Sequence, residues 1–114
     1  MNKFVFFVLS IILSTNILFS QELSKKQERE MLEDAEYYYE EENYPKALEI
    51  FEKLAAANPN DIYYRLMVGI LYTYRYDKKK EAITYLEDVK KSNPDFNEVN
   101  FYLGKAYMVN HMFD

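Results

Sequence analysis

The segment YPKALEIFEKLAAANPND at residues 44–61 is matched 35 residues later by KKEAITYLEDVKKSNPD at residues 79–95. Three pairs of positions share the 35-residue spacing: Ala47 and Ala82, Phe51 and Leu86, and Pro59 and Pro94. Self-similarity at a fixed period of this length is the signature of a repeat architecture. The two segments therefore predict a chain built from repeated units.

A second series has nearly the same period. A small residue followed three positions later by tyrosine occurs at Ala35 and Tyr38, at Gly69 and Tyr72, and at Gly104 and Tyr107. A small residue lets a neighbouring helix come close, and the residue one turn later packs beside that contact. Proline cannot continue a helix, so the two prolines of the first series would end successive units. Each unit is therefore predicted to be a pair of helices.

Polar residues stand where these helices should begin. Asn43 and Asp77 are predicted to cap the second helix of each unit, and Asp61 and Asp95 the first helix of the unit that follows. Asn and Asp favour this position because their side chains accept a hydrogen bond from a free backbone N–H in the first turn.

The pattern resembles the tetratricopeptide repeat, which has a period of about 34 residues. The resemblance implies an all-α helix-turn-helix solenoid of about two and a half repeats. The repeats would span residues 28–61 and 62–96, with a partial repeat at 97–114, inside a domain covering 21–114. The chain departs from the family where an early tryptophan is expected, since Met31, Arg65 and Asn100 stand there.

The first twenty residues are predicted to be a secretory signal peptide. Lys3 supplies a positive start, residues 4–13 are apolar apart from one serine, and the small Ser20 precedes Gln21. The alternative is an uncleaved membrane anchor, but residues 4–20 are short for a spanning helix and contain three consecutive polar residues. We therefore expect the mature chain not to span a membrane and to be periplasmic or associated with the outer membrane.

Composition excludes several classes of function. The 114 residues include no cysteine and one histidine, His111, and the net charge is −5. A chain without cysteine has no disulfide, cysteine nucleophile, cysteine zinc site or lipoprotein anchor. An acidic chain is unsuited to nucleic acid, and two glycines are too few for a phosphate-binding loop. We predict no catalytic, cofactor-binding or metal-binding residues, and no enzyme activity.

The tetratricopeptide resemblance implies a concave groove, lined by the first helix of each repeat, that holds a protein or peptide partner. The matching positions predicted to contact the partner are Tyr39, Tyr63, Leu66, Ile70, Tyr74, Phe101, Lys105 and Met108. Aromatic side chains are common anchors of such interfaces. In the alternative interpretation, Leu66 and Phe101 pack between neighbouring helices and contact no partner.

A second resemblance concerns the whole arrangement. A signal peptide followed by tyrosine-rich repeats is similar to the N-terminal part of larger envelope proteins. In those proteins such repeats precede a β-propeller and an OmpA-like peptidoglycan-binding domain, and some members are linked to gliding and protein secretion. Neither of these two domains occurs in this sequence.

The main hypothesis is an exported module that mediates protein–protein contacts in the cell envelope. The alternatives are an N-terminal structural part of a peptidoglycan-anchoring protein and, more remotely, an accessory domain of an enzyme. The last predicted helix, at about residues 97–110, has no following helix to cover its apolar face. We therefore expect either self-association through this helix or a longer protein that covers it.

Overall fold

A computed structural model describes residues 22–112 of the chain. The predicted signal peptide, residues 1–20, lies outside these residues. The described part consists of α-helices and one 3₁₀ turn, without any strand, which confirms the all-α prediction. The helices are α1 (Lys25–Glu40), α2 (Tyr44–Ala57), α3 (Ile62–Tyr72), α4 (Lys79–Ser92) and α5 (Glu98–Met112), and the 3₁₀ turn spans Tyr76–Lys78.

Each helix packs against the next one along the chain, and α3 also contacts α5. Helices α1 and α2 form one hairpin, α3 and α4 form the second, and α5 packs on the second. The small residues Ala35, Ala47 and Ala82 are completely buried where helices meet. Around them lie the large side chains of the core, of which Phe51, Leu54, Leu71 and Leu86 are fully buried. Burial of this apolar surface is what holds the helices together.

Two of the four predicted helix caps are confirmed. The side chain of Asn43 accepts a hydrogen bond from the backbone N–H of Lys46 at 3.5 Å, at the start of α2. Asp61 accepts one from the backbone N–H of Tyr64 at 3.1 Å, at the start of α3. At the other end of the units, α2 and α4 both stop two residues before a proline, as predicted.

The predictions for Asp77 and Asp95 are wrong. Asp77 lies within the 3₁₀ turn, where its carboxylate accepts hydrogen bonds from the Arg75 guanidinium at 2.8 and 3.1 Å. The guanidinium lowers the pKa of Asp77, and α4 begins after Lys78 without a side-chain cap. Asp95 lies in the turn before α5 and is too far from Glu98, the first residue of that helix, to cap it.

Positions 35 residues apart have equivalent surroundings in the two halves of the structure. The Tyr72 hydroxyl donates to the Glu52 carboxylate at 3.3 Å, and the Tyr107 hydroxyl donates to Glu87. In both cases a tyrosine on the first helix of a unit reaches a glutamate on the second helix of the preceding unit. The recurrence in sequence therefore corresponds to a recurrence of contacts.

The two glycines, by contrast, differ. A Cβ atom added at Gly69 would lie 2.8 Å from Leu86 Cδ2, so α3 and α4 approach closely there, as predicted. A Cβ atom added at Gly104 would have no neighbour within 4 Å among the described residues, and Gly104 is exposed. The predicted close approach at Gly104 is therefore wrong for this part of the chain, because no described helix covers that side of α5.

Candidate protein-binding groove

The helices that begin each unit, α1, α3 and α5, lie side by side. Helix α3 contacts α5 directly, and Tyr63 at its start donates a hydrogen bond to Glu36 of α1 at 3.0 Å. A second hydrogen bond joins the same pair of helices, from the Tyr64 hydroxyl to the Glu28 carboxylate at 2.6 Å. The surface shared by these three helices is the location predicted for the groove.

Five tyrosines gather on this surface, and we name them the tyrosine cluster: Tyr39, Tyr44, Tyr63, Tyr74 and Tyr102. The rings of Tyr44 and Tyr74 stack with centroids 4.3 Å apart and planes 15° apart. The Tyr39 ring is 5.8 Å from that of Tyr44. Tyr102 lies near enough to Tyr39 and Tyr63 to act electrostatically on both hydroxyls. The cluster therefore joins residues of α1, α2, α3 and α5 and of the turn after α3 in one surface.

Three hydroxyls of the cluster, those of Tyr39, Tyr44 and Tyr63, have raised pKa values. Burial raises the pKa of Tyr63 to about 12, and the hydrogen bond to the Glu36 carboxylate adds to this effect. Burial also raises the pKa of Tyr39, with smaller contributions from Tyr74 and Tyr102. A protonated phenol has one O–H to donate. That of Tyr63 is donated to Glu36, whereas that of Tyr39 makes no hydrogen bond within the described residues and lies next to apolar ring faces.

Lys105 places a positive charge among the rings. Its Nζ atom lies 5.4 Å from the ring centroid of Tyr74 and 5.7 Å from that of Phe101, within the range of cation–π attraction. The same atom donates a hydrogen bond to the Tyr74 hydroxyl at 3.3 Å. The ion pairs within residues 22–112 join other side chains. The ammonium of Lys105 is therefore held by aromatic groups, and its charge is not matched by a carboxylate of the described chain.

The predicted groove residues fall into two sets. Tyr63, Tyr74, Phe101 and Met108 are 39, 44, 66 and 55 % exposed, and Tyr39 and Lys105 are half-buried. Leu66 and Ile70 are only 7 and 2 % exposed and belong to the core. Neither residue can make a large contact with a partner, because neighbouring helices cover α3 on both sides. The alternative that a predicted residue packs between helices thus holds for Leu66 and fails for Phe101.

Sequence reasoning missed two members of the tyrosine cluster. Tyr44 is the first residue of α2, a helix that the repeat pattern assigns to the outer layer. Tyr102 is one position beyond Phe101, outside the register of predicted groove positions. The density of tyrosine around both helix ends is the signal that could have indicated them.

The described residues contain no grouping of three or more His, Cys, Asp or Glu side chains suited to a metal ion. Every buried side-chain nitrogen or oxygen atom in this part of the chain has a hydrogen-bond partner. None of the helices within 22–112 has the length and apolar character needed to cross a bilayer.

Comparisons with protein-family models, with curated proteins and with solved structures find no match to this chain. The functional interpretation therefore depends on the geometry of the described residues. That geometry defines a protein of stacked helical hairpins with an exposed tyrosine-rich surface.

Proposed function

We propose that this protein is a tetratricopeptide-type repeat module that binds a protein or peptide partner in its groove and carries out no catalysis itself. The observation that carries the proposal is the tyrosine cluster, which lies on one surface beside the exposed Phe101 and Met108. The repeat assignment is supported by the 35-residue spacing and by the equivalent hydrogen bonds of Tyr72 and Tyr107.

The chemistry of the surface supports binding over mere solvation. Tyrosine combines a large apolar ring with a polar hydroxyl, and for this reason it is common at protein interfaces. A monomeric protein rarely leaves a large contiguous apolar patch exposed without a function. The exposed rings of Tyr74 and Phe101, bridged by Lys105, are suited to anchor a partner in this way.

The site of action is proposed from the sequence. The pattern of residues 1–20 supports export, which would place the groove in the periplasm or at the outer membrane. The structural alternative, a part of a peptidoglycan-anchoring envelope protein, and the remote alternative, an accessory domain of an enzyme, both require further domains. Reading the gene beyond Asp114 distinguishes them, because an OmpA-like domain would favour the first and a catalytic domain the second.

The groove is tested by changing both Tyr74 and Phe101 to Ala. Loss of one interface anchor commonly costs about 2 kcal/mol, or roughly a thirtyfold loss of affinity. Capture of partners from an envelope extract should therefore fall sharply, while far-UV circular dichroism shows unchanged helicity. Tyr37→Ala is the matched control, since Tyr37 is 58 % exposed and its ring contacts Tyr38 rather than the cluster. Equal capture by the double variant would show that this surface is not the binding face.

The exposed side of α5, which includes the groove residues Phe101 and Met108, also supports self-association. Phe101, Tyr107 and Met108 are 66, 48 and 55 % exposed, whereas the equivalent Leu66, Tyr72 and Thr73 of α3 are 7, 7 and 9 % exposed. On α3 this surface is covered by neighbouring helices, so we propose that a second copy of the chain covers it on α5. Sedimentation at about 50 µM tests this proposal. A stable monomer that unfolds cooperatively would contradict it, and Met108→Lys should abolish any dimer that forms.

A further inference from the structure

We propose that the groove takes a proline-rich segment in the polyproline II conformation and places a carboxylate of that segment at Lys105. This inference rests on the proposed function, because it names the class of partner for the same surface. It is argued from the shape of the aromatic surface, from its hydrogen-bond donors and from its unmatched positive charge.

Other modes of peptide recognition fit the surface poorly. Strand addition needs the free edge of a sheet, and residues 22–112 contain no strand. An amphipathic helix lays its apolar face into a continuous hydrophobic groove. The aliphatic residues at the centre, Leu66 and Ile70, are buried. The predicted groove residues that remain largely exposed are Tyr63, Tyr74, Phe101 and Met108, and three of these four are aromatic.

Aromatic rings of this kind are suited to proline. Polyproline II segments dock in grooves lined by aromatic side chains, and they lose little conformational entropy because their shape is already formed. The ring of Tyr74, stacked on Tyr44 and 44 % exposed, offers a rigid edge, and the Tyr39 ring continues the surface on the other side of Tyr44. A pyrrolidine ring can pack on the exposed part of the Tyr74 ring with little rearrangement of the protein.

The hydrogen-bonding groups are also complementary. A polyproline II backbone makes no internal hydrogen bonds, and each proline offers a carbonyl acceptor but no N–H donor. The cluster supplies donors for these carbonyls, although the Tyr63 O–H is already donated to the Glu36 carboxylate. The hydroxyls of Tyr39 and Tyr102 make no hydrogen bond within the described part of the chain, so both can donate to a ligand carbonyl.

The positive charge of Lys105 indicates that the ligand carries a negative group. Lys105 lies at one side of the cluster, between the rings of Tyr74 and Phe101, and forms no ion pair with a described residue. Aromatic faces attract an ammonium but carry no net charge that would neutralise it. An aspartate, a glutamate or a terminal carboxylate of the ligand would supply the missing negative charge.

The test uses fluorescently labelled peptides about nine residues long, roughly 28 Å in polyproline II, measured by fluorescence anisotropy with the chain. One peptide is oligoproline ending in aspartate, the second replaces aspartate by asparagine amide, and the third is an alanine-, glutamine- and serine-based peptide ending in aspartate. The oligoproline-aspartate peptide should bind at least about tenfold more tightly than the third peptide. It should bind about threefold to fivefold more tightly than the asparagine version.

Variants connect the binding to the surface. Tyr74→Ala and Tyr102→Ala should each weaken oligoproline binding about tenfold, and Tyr37→Ala should leave it unchanged. Lys105→Gln should remove the preference for aspartate over asparagine while oligoproline itself still binds. Having two separate tyrosine variants keeps the test valid if one of them loses its helical circular dichroism.

Two outcomes overturn the inference in distinguishable ways. If oligoproline binds no better than the alanine-based peptide, the polyproline II assignment is wrong. The proposed function then survives if the Tyr74 and Phe101 double variant still loses its partners, and it fails as well if that variant captures them normally. Binding of oligoproline that is unaffected by Tyr74→Ala and Tyr102→Ala would place the ligand elsewhere and would also overturn the inference.

Discussion

The same substitution at two equivalent glycines should change stability in opposite directions. Gly69 and Gly104 are 35 residues apart, one on α3 and the other on α5. Gly69 faces α4 at close range, whereas Gly104 faces open space within the described structure. Changing each to Ala adds one methyl group to the same position of the repeat in two different environments.

The magnitudes follow from helix propensity and from packing. Alanine is about 1 kcal/mol more favourable than glycine inside a helix, and this gain applies at both sites. At Gly69 the new Cβ would lie 2.8 and 2.9 Å from Leu86 Cδ2 and Cγ and 3.2 Å from Tyr85 Cβ. Leu86 is fully buried, so the core must distort, which costs about 1–3 kcal/mol. Gly69→Ala should therefore destabilise the fold by about 1 kcal/mol, and Gly104→Ala should stabilise it by up to about 1 kcal/mol.

Urea unfolding followed by far-UV circular dichroism measures both variants against the unchanged chain. In a domain of this size, about 1 kcal/mol corresponds to roughly 4–8 °C in Tm, so thermal melts provide a second measurement. Equal stabilisation by both substitutions would refute the close contact between Gly69 and Leu86. Destabilisation by Gly104→Ala that grows with protein concentration would refute the open space at Gly104 and would favour the proposed dimer.

Three further predictions follow from the helix ends and the buried phenols. Asp61→Ala should cost about 1 kcal/mol in urea unfolding because it removes a cap, whereas Asp77→Ala should cost under about 0.5 kcal/mol because its ion pair is exposed. Glu42 has φ of 57°, so Glu42→Gly should raise the free energy of unfolding by about 1 kcal/mol, while the same change at Glu41, with φ of −76°, should not. Burial raises the pKa of Tyr72 to about 12, above the unfolded value of about 10. The stability linked to this phenol is present below pH 10 and lost as pH rises through 12, so a pH series should show a shallower alkaline loss for Tyr72→Phe.

The helical hairpins could be predicted from the sequence because their signals are local. Asn43 and Asp61 cap helices where the pattern predicted, since a cap depends on a side chain and a backbone group three residues away. Asp77 occupies a similar position in the repeat but pairs with Arg75. The turn around it forms a 3₁₀ segment instead of leading directly into the helix, and a period alone does not distinguish these two geometries.

Burial of the groove positions could not be predicted in the same way. Leu66 and Phe101 occupy the same register, yet one is 7 % and the other 66 % exposed. The difference depends on the number of neighbouring helices, which is a property of the stack and not of the residue. Tyr102 belongs to the site for a related reason, because α5 packs beside α3 and the Tyr102 hydroxyl there contributes to the raised pKa values of Tyr39 and Tyr63.

The tyrosines of this chain divide into two groups by what their hydroxyls contact. In one group the hydroxyl reaches a carboxylate on another helix, as Tyr64 reaches Glu28 and Tyr72 reaches Glu52, so these phenols join neighbouring helices. In the other group, which includes Tyr39 and Tyr102, the ring packs on the protein while the hydroxyl forms no hydrogen bond within residues 22–112. A phenylalanine would supply the same ring at both kinds of position without the polar group. The first group uses the hydroxyl to join helices, and in the second group the hydroxyl is available to the partner that we propose.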